Sequence, residues 1–216
     1  MKRLFDPDTP IMQRLTRYSN IILCGTAWFF CCLLIIPVGA ACTAMARMMF
    51  NIREDKPAGL GLFFKTLISE FGKSTLLWLA DLFCVALLAL VLWSIPDGNA
   101  MLYGIMFAPI LLWTFTFLYV FPLNAYFENS VFQTLKNALI MSLRHFRQTV
   151  PALTLAMLPV FVYLILGNYY FLYLMPLWLF FLLPFTEYWK SRFLLEAFYN
   201  YAPRPETEAE HDTDSD

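Results

Sequence analysis

Leu34-Ile35-Ile36-Pro37-Val38-Gly39-Ala40-Ala41-Cys42-Thr43-Ala44-Met45-Ala46 is the stretch on which the architecture turns. The apolar run before it, residues 20–36, approaches the roughly 20 residues that a membrane helix needs. Pro37 and Gly39 then interrupt it, and a weaker segment of small residues follows. One kinked helix could continue to Ala46, or the chain could turn at Pro37 and come back as a short second helix. Charge separates the two. Lys2, Arg3, Arg14 and Arg17 precede the run, and Arg47, Arg53, Lys56, Lys65 and Lys73 follow the small-residue segment. Basic residues gather on the cytoplasmic side of a membrane protein. A return crossing puts both groups there, so a hairpin is expected.

Further apolar runs cover residues 74–95, 100–123, 151–167 and 169–186. Pro96-Asp97-Gly98-Asn99 joins the first two, and Gly167-Asn168 the last two; both are turn signals. Lys136, Arg144 and Arg147 fall in one inner connection, and Lys190, Arg192 and Arg204 in the tail, whereas these outer turns carry no Lys or Arg. The chain is 60% hydrophobic and 14% charged, against about 45–50% and about 25% in soluble domains. A soluble protein could not hide that excess. The expected fold is an all-α, polytopic membrane helix bundle of about six spans in three hairpins, with both termini cytoplasmic, in the bacterial inner (plasma) membrane. A five-span version, which strands five basic residues outside, ranks second.

Short amphipathic stretches precede the hairpins. In Val131–Val150, Phe132, Leu135, Leu139, Leu143 and Phe146 recur at three- and four-residue steps, with Lys136, Asn137, Arg144 and Arg147 between them. That pattern predicts a helix along the inner interface. Leu60–Lys73 resembles it, and the joins echo each other: Glu70-Phe71-Gly72-Lys73-Ser74-Thr75 and His145-Phe146-Arg147-Gln148-Thr149. An internal repeat with a period near 75 residues follows. Residues 1–200 read as one membrane domain. Residues 201–216, where Glu206, Glu208, Glu210, Asp212, Asp214 and Asp216 alternate with small or polar residues, read as an acidic, disordered cytoplasmic tail.

The segment from Leu34 to Met45 resembles the signature of the YesL-like family, bacterial membrane proteins of unknown function catalogued as domain-of-unknown-function family 624. Gly39, Ala40, Thr43 and Ala44 match it in place, while Pro37 stands where a Thr is common. Ile52-Arg53-Glu54-Asp55, Phe63-Phe64-Lys65, Phe71-Gly72-Lys73-Ser74-Thr75 and Trp78-Leu79 add to the resemblance, which covers most of residues 1–195. Genes of that family often lie beside carbohydrate ABC transporters. The resemblance therefore implies an accessory role in sugar uptake.

Independently of the family, Gly39 with Thr43 and Ala40 with Ala44 are small residues four apart, a spacing that lets membrane helices approach closely. They are expected to pack helices. Asp81 is the one ionisable residue well inside an expected span, so it should be paired, protonated or turned to a polar cavity. It could handle protons or substrate; it could equally be structural, with Arg47, Lys73 or Asn124 as its partner. Cys24, Cys31, Cys32, Cys42 and Cys84 lie in apolar stretches without zinc-like spacing to His145 or His211. Catalytic, cofactor and metal sites are not expected, and neither is enzyme activity. The expected partners are the lipid bilayer and ABC-transporter subunits or a second copy, with no nucleic acid. The expected function is a non-enzymatic accessory or regulatory component linked to carbohydrate ABC transport; a small transporter or permease is the alternative.

Overall fold

A computed structural model describes residues 10–96 and 99–202, so Lys2, Arg3, Asp97, Gly98 and the acidic stretch from 203 onward lie outside the described residues. The described chain is helical: α1 (Pro10–Leu33), α2 (Val38–Arg53), α3 (Leu60–Ser69), α4 (Phe71–Ser94), α5 (Ala100–Tyr126), α6 (Val131–Arg144), α7 (Phe146–Ala156), α8 (Leu158–Leu177), a π-helical turn (Trp178–Leu182) and α9 (Leu183–Phe198). The π-helical turn ends two residues before Pro184, which has no N–H to give Phe180 and so cannot continue a regular ladder.

α2 is the hub. It packs against α1, α3, α4, α5 and α9, and most of its sixteen residues are buried, Gly39, Ala40, Thr43 and Ala44 among them. The small side chains are the reason so many neighbours fit. A Cβ placed on Gly39 would collide with the Ser74 carbonyl oxygen and lie 2.8 Å from the Trp78 Cβ. The backbones of α2 and α4 therefore meet where any larger residue would separate them. A second close approach ties α1 to α9, where a Cβ on Gly25 would lie 2.8 Å from the Pro184 Cβ.

The first hairpin exists, but it is short. Arg17, near the foot of α1, pairs with Asp55, just past α2, at 2.6 Å, and Trp28 donates to Cys42 Sγ at 3.4 Å. At the tip, Ile35 is held at φ 61°, a region a β-branched residue enters only under strain. Leu34, Ile35 and Ile36 are 69%, 69% and 65% exposed there. Such a tip suits hydrocarbon better than water. Because Gly39 lies beside Trp78 and Thr43 beside Ser74, α2 runs antiparallel to α4. Trp78 stands about seven residues, roughly 10 Å, into α4. The tip thus ends about half-way along α4.

Among the described residues, length and apolarity mark two helices, or three with one bent pair, as able to cross a membrane, where the sequence led to an expectation of six. α4 and α5 are long and apolar enough to cross a membrane; α7 with the first part of α8 makes a third candidate across a 45° bend. α2, at sixteen residues, reaches about 24 Å, short of a hydrocarbon core of about 30 Å. The basic residues that argued for a return crossing report which side the hairpin's ends occupy; they say nothing of its depth. The turn at Gly167 is as expected: φ 72° and ψ 176° break α8 there, in a region open essentially to glycine alone. Beyond it the chain reverses, and α7 packs along α9 with His145 against Tyr201.

The repeat also has a structural counterpart. α3 gives way to α4 at Glu70 and α6 to α7 at His145, each next helix starting on a Phe. Ser74 and Thr149, in corresponding positions, are both fully buried. α6 buries Thr134, Ala138, Met141 and Ser142 and leaves Phe132 and Leu143 exposed. Val131, Leu135 and Met141 pack toward the core instead.

The glycine contacts generate a direct test. Gly39→Ala is expected to lower stability in detergent by about 1–3 kcal/mol, the usual cost of overpacking. Gly72→Ala, where a Cβ meets nothing within 4 Å, should lose nothing and gain up to about 1 kcal/mol from helix propensity. Thermal melts of the purified variants check both. Equal melting of Gly39→Ala and parent would contradict the packing.

Candidate functional site

Three polar groupings sit within this apolar frame. The first is a knot at the crossing of α2, α4 and α5. Thr43 Oγ1 and Ser74 Oγ lie 2.9 Å apart. Asn124 Nδ2 donates to Ser74 Oγ at 2.9 Å and approaches Thr43 Oγ1 and Glu70 Oε2 at 3.5 Å. Thr43, Ser74 and Asn124 are all buried. Asn124 Oδ1 has no hydrogen-bond partner among the described residues, although a buried acceptor left alone costs about 1–3 kcal/mol. Nearby, Tyr119 Oη and Thr149 Oγ1, 2.9 Å apart, link α5 to α7 in the same manner.

The second grouping lies at the inner end of α2 and uses Arg53-Glu54-Asp55. Arg53 donates to the Tyr188 carbonyl and, at 2.7 Å, to Ser191 Oγ, and its guanidinium lies 4.1 Å over the Tyr188 ring. Glu54 accepts from Lys56 at 2.6 Å and from the Tyr126 and Tyr199 hydroxyls at 3.3 Å each. Asp55 holds Arg17. Three consecutive residues thus clamp α9, α5 and α1 onto the end of the hub. At the α6–α7 joint, His145 meets the Tyr201 hydroxyl at 3.2 Å; partial burial, and then the adjacent Arg144 charge, hold its imidazole below the usual pKa.

The third is a chamber of about 280 Å³ where α1, α2, α5, α7 and α9 converge, lined by Trp28, Cys42, Met45, Phe117, Phe121 and Leu153 among others. Its walls are apolar except for Thr114 and for Glu187 and Lys190, which pair at 2.6 Å with side chains 28% and 12% exposed. In the sequence Lys190 passes for one more basic residue of the inner tail. The structure puts it inside the bundle, one helical turn from its acid. The available signal was Glu187 and Lys190 three apart, the spacing of a facing pair, on a helix that also carries Arg192 and Glu196.

Asp81 belongs to none of these. Its Oδ1 accepts from Trp113 Nε1 at 2.9 Å, from α4 to α5. Arg47, Lys73 and Asn124, the partners the sequence offered, are not what it meets: Arg47 is exposed and Asn124 is engaged in the knot. Of the four small residues of α2, all buried, Gly39 and Thr43 face α4 at Ser74, whereas Ala44 packs with Ile21 and Phe63.

Fold and sites together define an all-helical membrane protein built round a buried, small-residue helix. The model of the family described as "Protein of unknown function, DUF624" matches residues 21–92, from α1 through the hub to the last turn of α4. The matched segment thus holds the hairpin, Gly39, Thr43, the Arg53–Asp55 clamp and Asp81. No curated protein and no solved structure matches the chain.

The Asp81–Trp113 bond predicts the order of two variants. Asp81→Asn keeps an acceptor for the indole and should melt close to the parent. Asp81→Leu leaves the Trp113 N–H unpaired and should lose about 1–3 kcal/mol. Detergent melts rank them. An Asp81→Asn protein as stable as the parent but inactive in cells would assign Asp81 a proton or substrate role instead.

Proposed function

We propose that the protein is a non-enzymatic, multi-pass inner-membrane component that acts by binding another membrane protein, a permease subunit of a carbohydrate ABC transporter. The observation that supports this is the state of the α4–α5 hairpin. Buried positions in α4 end at Leu77 and in α5 begin at Phe115. Beyond them Phe83 and Trp93 are 69% and 92% exposed, so that half of the hairpin leaves large apolar side chains uncovered outside the contact of α4 with α5. Charged groups deeper in the fold are already engaged: Asp81 by Trp113, Arg53 by α9, Lys190 by Glu187. What the hairpin has to offer is surface. The sugar connection rests on the YesL-like resemblance.

The topology that goes with this reading has both termini and the basic connections in the cytoplasm. α4 and α5 cross, as do the two arms either side of Gly167. The α1–α2 hairpin enters from the inner side and returns without crossing. That arrangement keeps the charge distribution that motivated six crossings and accommodates the short α2. A small permease is the second reading, and the chamber is the observation that favours it.

Photo-crosslinking residues at Phe83 and Trp93, in cells inducing sugar uptake, should give an adduct identified by mass spectrometry as an ABC permease subunit. Solute movement in liposomes holding this protein alone, with no such adduct in cells, would replace the accessory reading by the permease one.

A further inference from the structure

We infer that the chamber between α1, α2, α5, α7 and α9 binds one phospholipid of the inner leaflet whose head group carries both an ammonium and a phosphate, as phosphatidylethanolamine does. The inference goes beyond the accessory reading and does not depend on it.

The chamber is polarised along its length. Glu187 and Lys190 also line a small void with Met49, Phe50 and Leu194, residues further along α2 and α9 toward their inner ends. The charged pair therefore marks the chamber's inner end. Trp28, Thr114 and Met157 line it as well, and the hydroxyl of Thr114 is already given to the Ile110 carbonyl. A polar inner end under an apolar upper part is the orientation of an inner-leaflet lipid. The volume of about 280 Å³ suits part of one acyl chain, with the second chain left in the bilayer.

The pair has capacity to spare. An ammonium donates three hydrogen bonds and a carboxylate accepts about four. Among the described residues, Lys190 Nζ gives one, to Glu187 Oε1. Two charges placed against apolar walls are poorly solvated, and their mutual attraction alone does not offset that loss. A zwitterionic head supplies what each lacks: phosphate oxygens for Lys190 and ammonium N–H groups for Glu187. A purely anionic head would answer Lys190 and repel Glu187.

The test uses the full chain in mild detergent, equilibrated with equal amounts of phosphatidylethanolamine and phosphatidylcholine, and native mass spectrometry to read the lipid retained. The choline head cannot donate to Glu187. One bound lipid is expected, with ethanolamine preferred by at least about tenfold, the equivalent of one charge-assisted hydrogen bond. Glu187→Gln with Lys190→Met, which removes both charges together, should bring the preference to near unity. Ala156→Trp, which fills the chamber, should abolish retention. Equal retention of the two lipids by the unmodified protein overturns the inference without relying on any variant. So does undiminished retention by Ala156→Trp.

Discussion

Gly39 has no side chain, and the Ser74 carbonyl lies where one would be. This contact fixes how near α2 can come to α4, and the rest of the inner half follows from it. With the two backbones together, Thr43 reaches Ser74 and Asn124 reaches both. The knot brings in α5, and α5 carries Trp113 to Asp81. At its other end α2 delivers Arg53, Glu54 and Asp55 to α9, α5 and α1. Lipid tails are as apolar as the helices, so burying apolar area gives no drive for helix association in a bilayer; close packing and hydrogen bonds must supply it. A helix of Gly, Ala, Thr and Met provides the first and admits the second.

The parts of this arrangement that were legible in the sequence are those carried by local chemistry. Small residues four apart named the packing face of α2, and Gly167 named its turn because only glycine tolerates that backbone. The echo between Glu70-Phe71 and His145-Phe146 named two equivalent joints. Depth and partnership were not legible. The Lys and Arg residues around α1 and α2 bear on the side of the hairpin's ends but are indifferent to whether its tip stops half-way. Asp81 has several polar residues near it in sequence, but its partner lies on the next helix, and a Trp, usually read as an interface residue, is easily passed over as a donor. Lys190 was hidden by its company, since Arg192 beside it is 61% exposed.

The packed inner half and the open outer half stand in functional contrast. Inside, the knot, the clamp and the chamber lie between helices that have little freedom to move apart. Beyond Leu77 and before Phe115, the described residues of α4 and α5 are half-buried or exposed, with the two helices packed on each other. The residues matched by the family model fall mainly in the first half.

The central claim is that the first hairpin, pinned to α4 through Gly39, ends inside the membrane. Depth at its tip tests this most directly. A spin label on Ile35→Cys, in a protein with the five native cysteines replaced, can be compared in lipid bilayers with labels at Asn99 and Lys56. The account predicts that Ile35 is the most accessible to oxygen and the least accessible to a water-soluble nickel chelate, as a site near the bilayer centre must be. A label at Ile35 as open to the chelate as one at Asn99 would place the tip at the outer surface and restore six crossings.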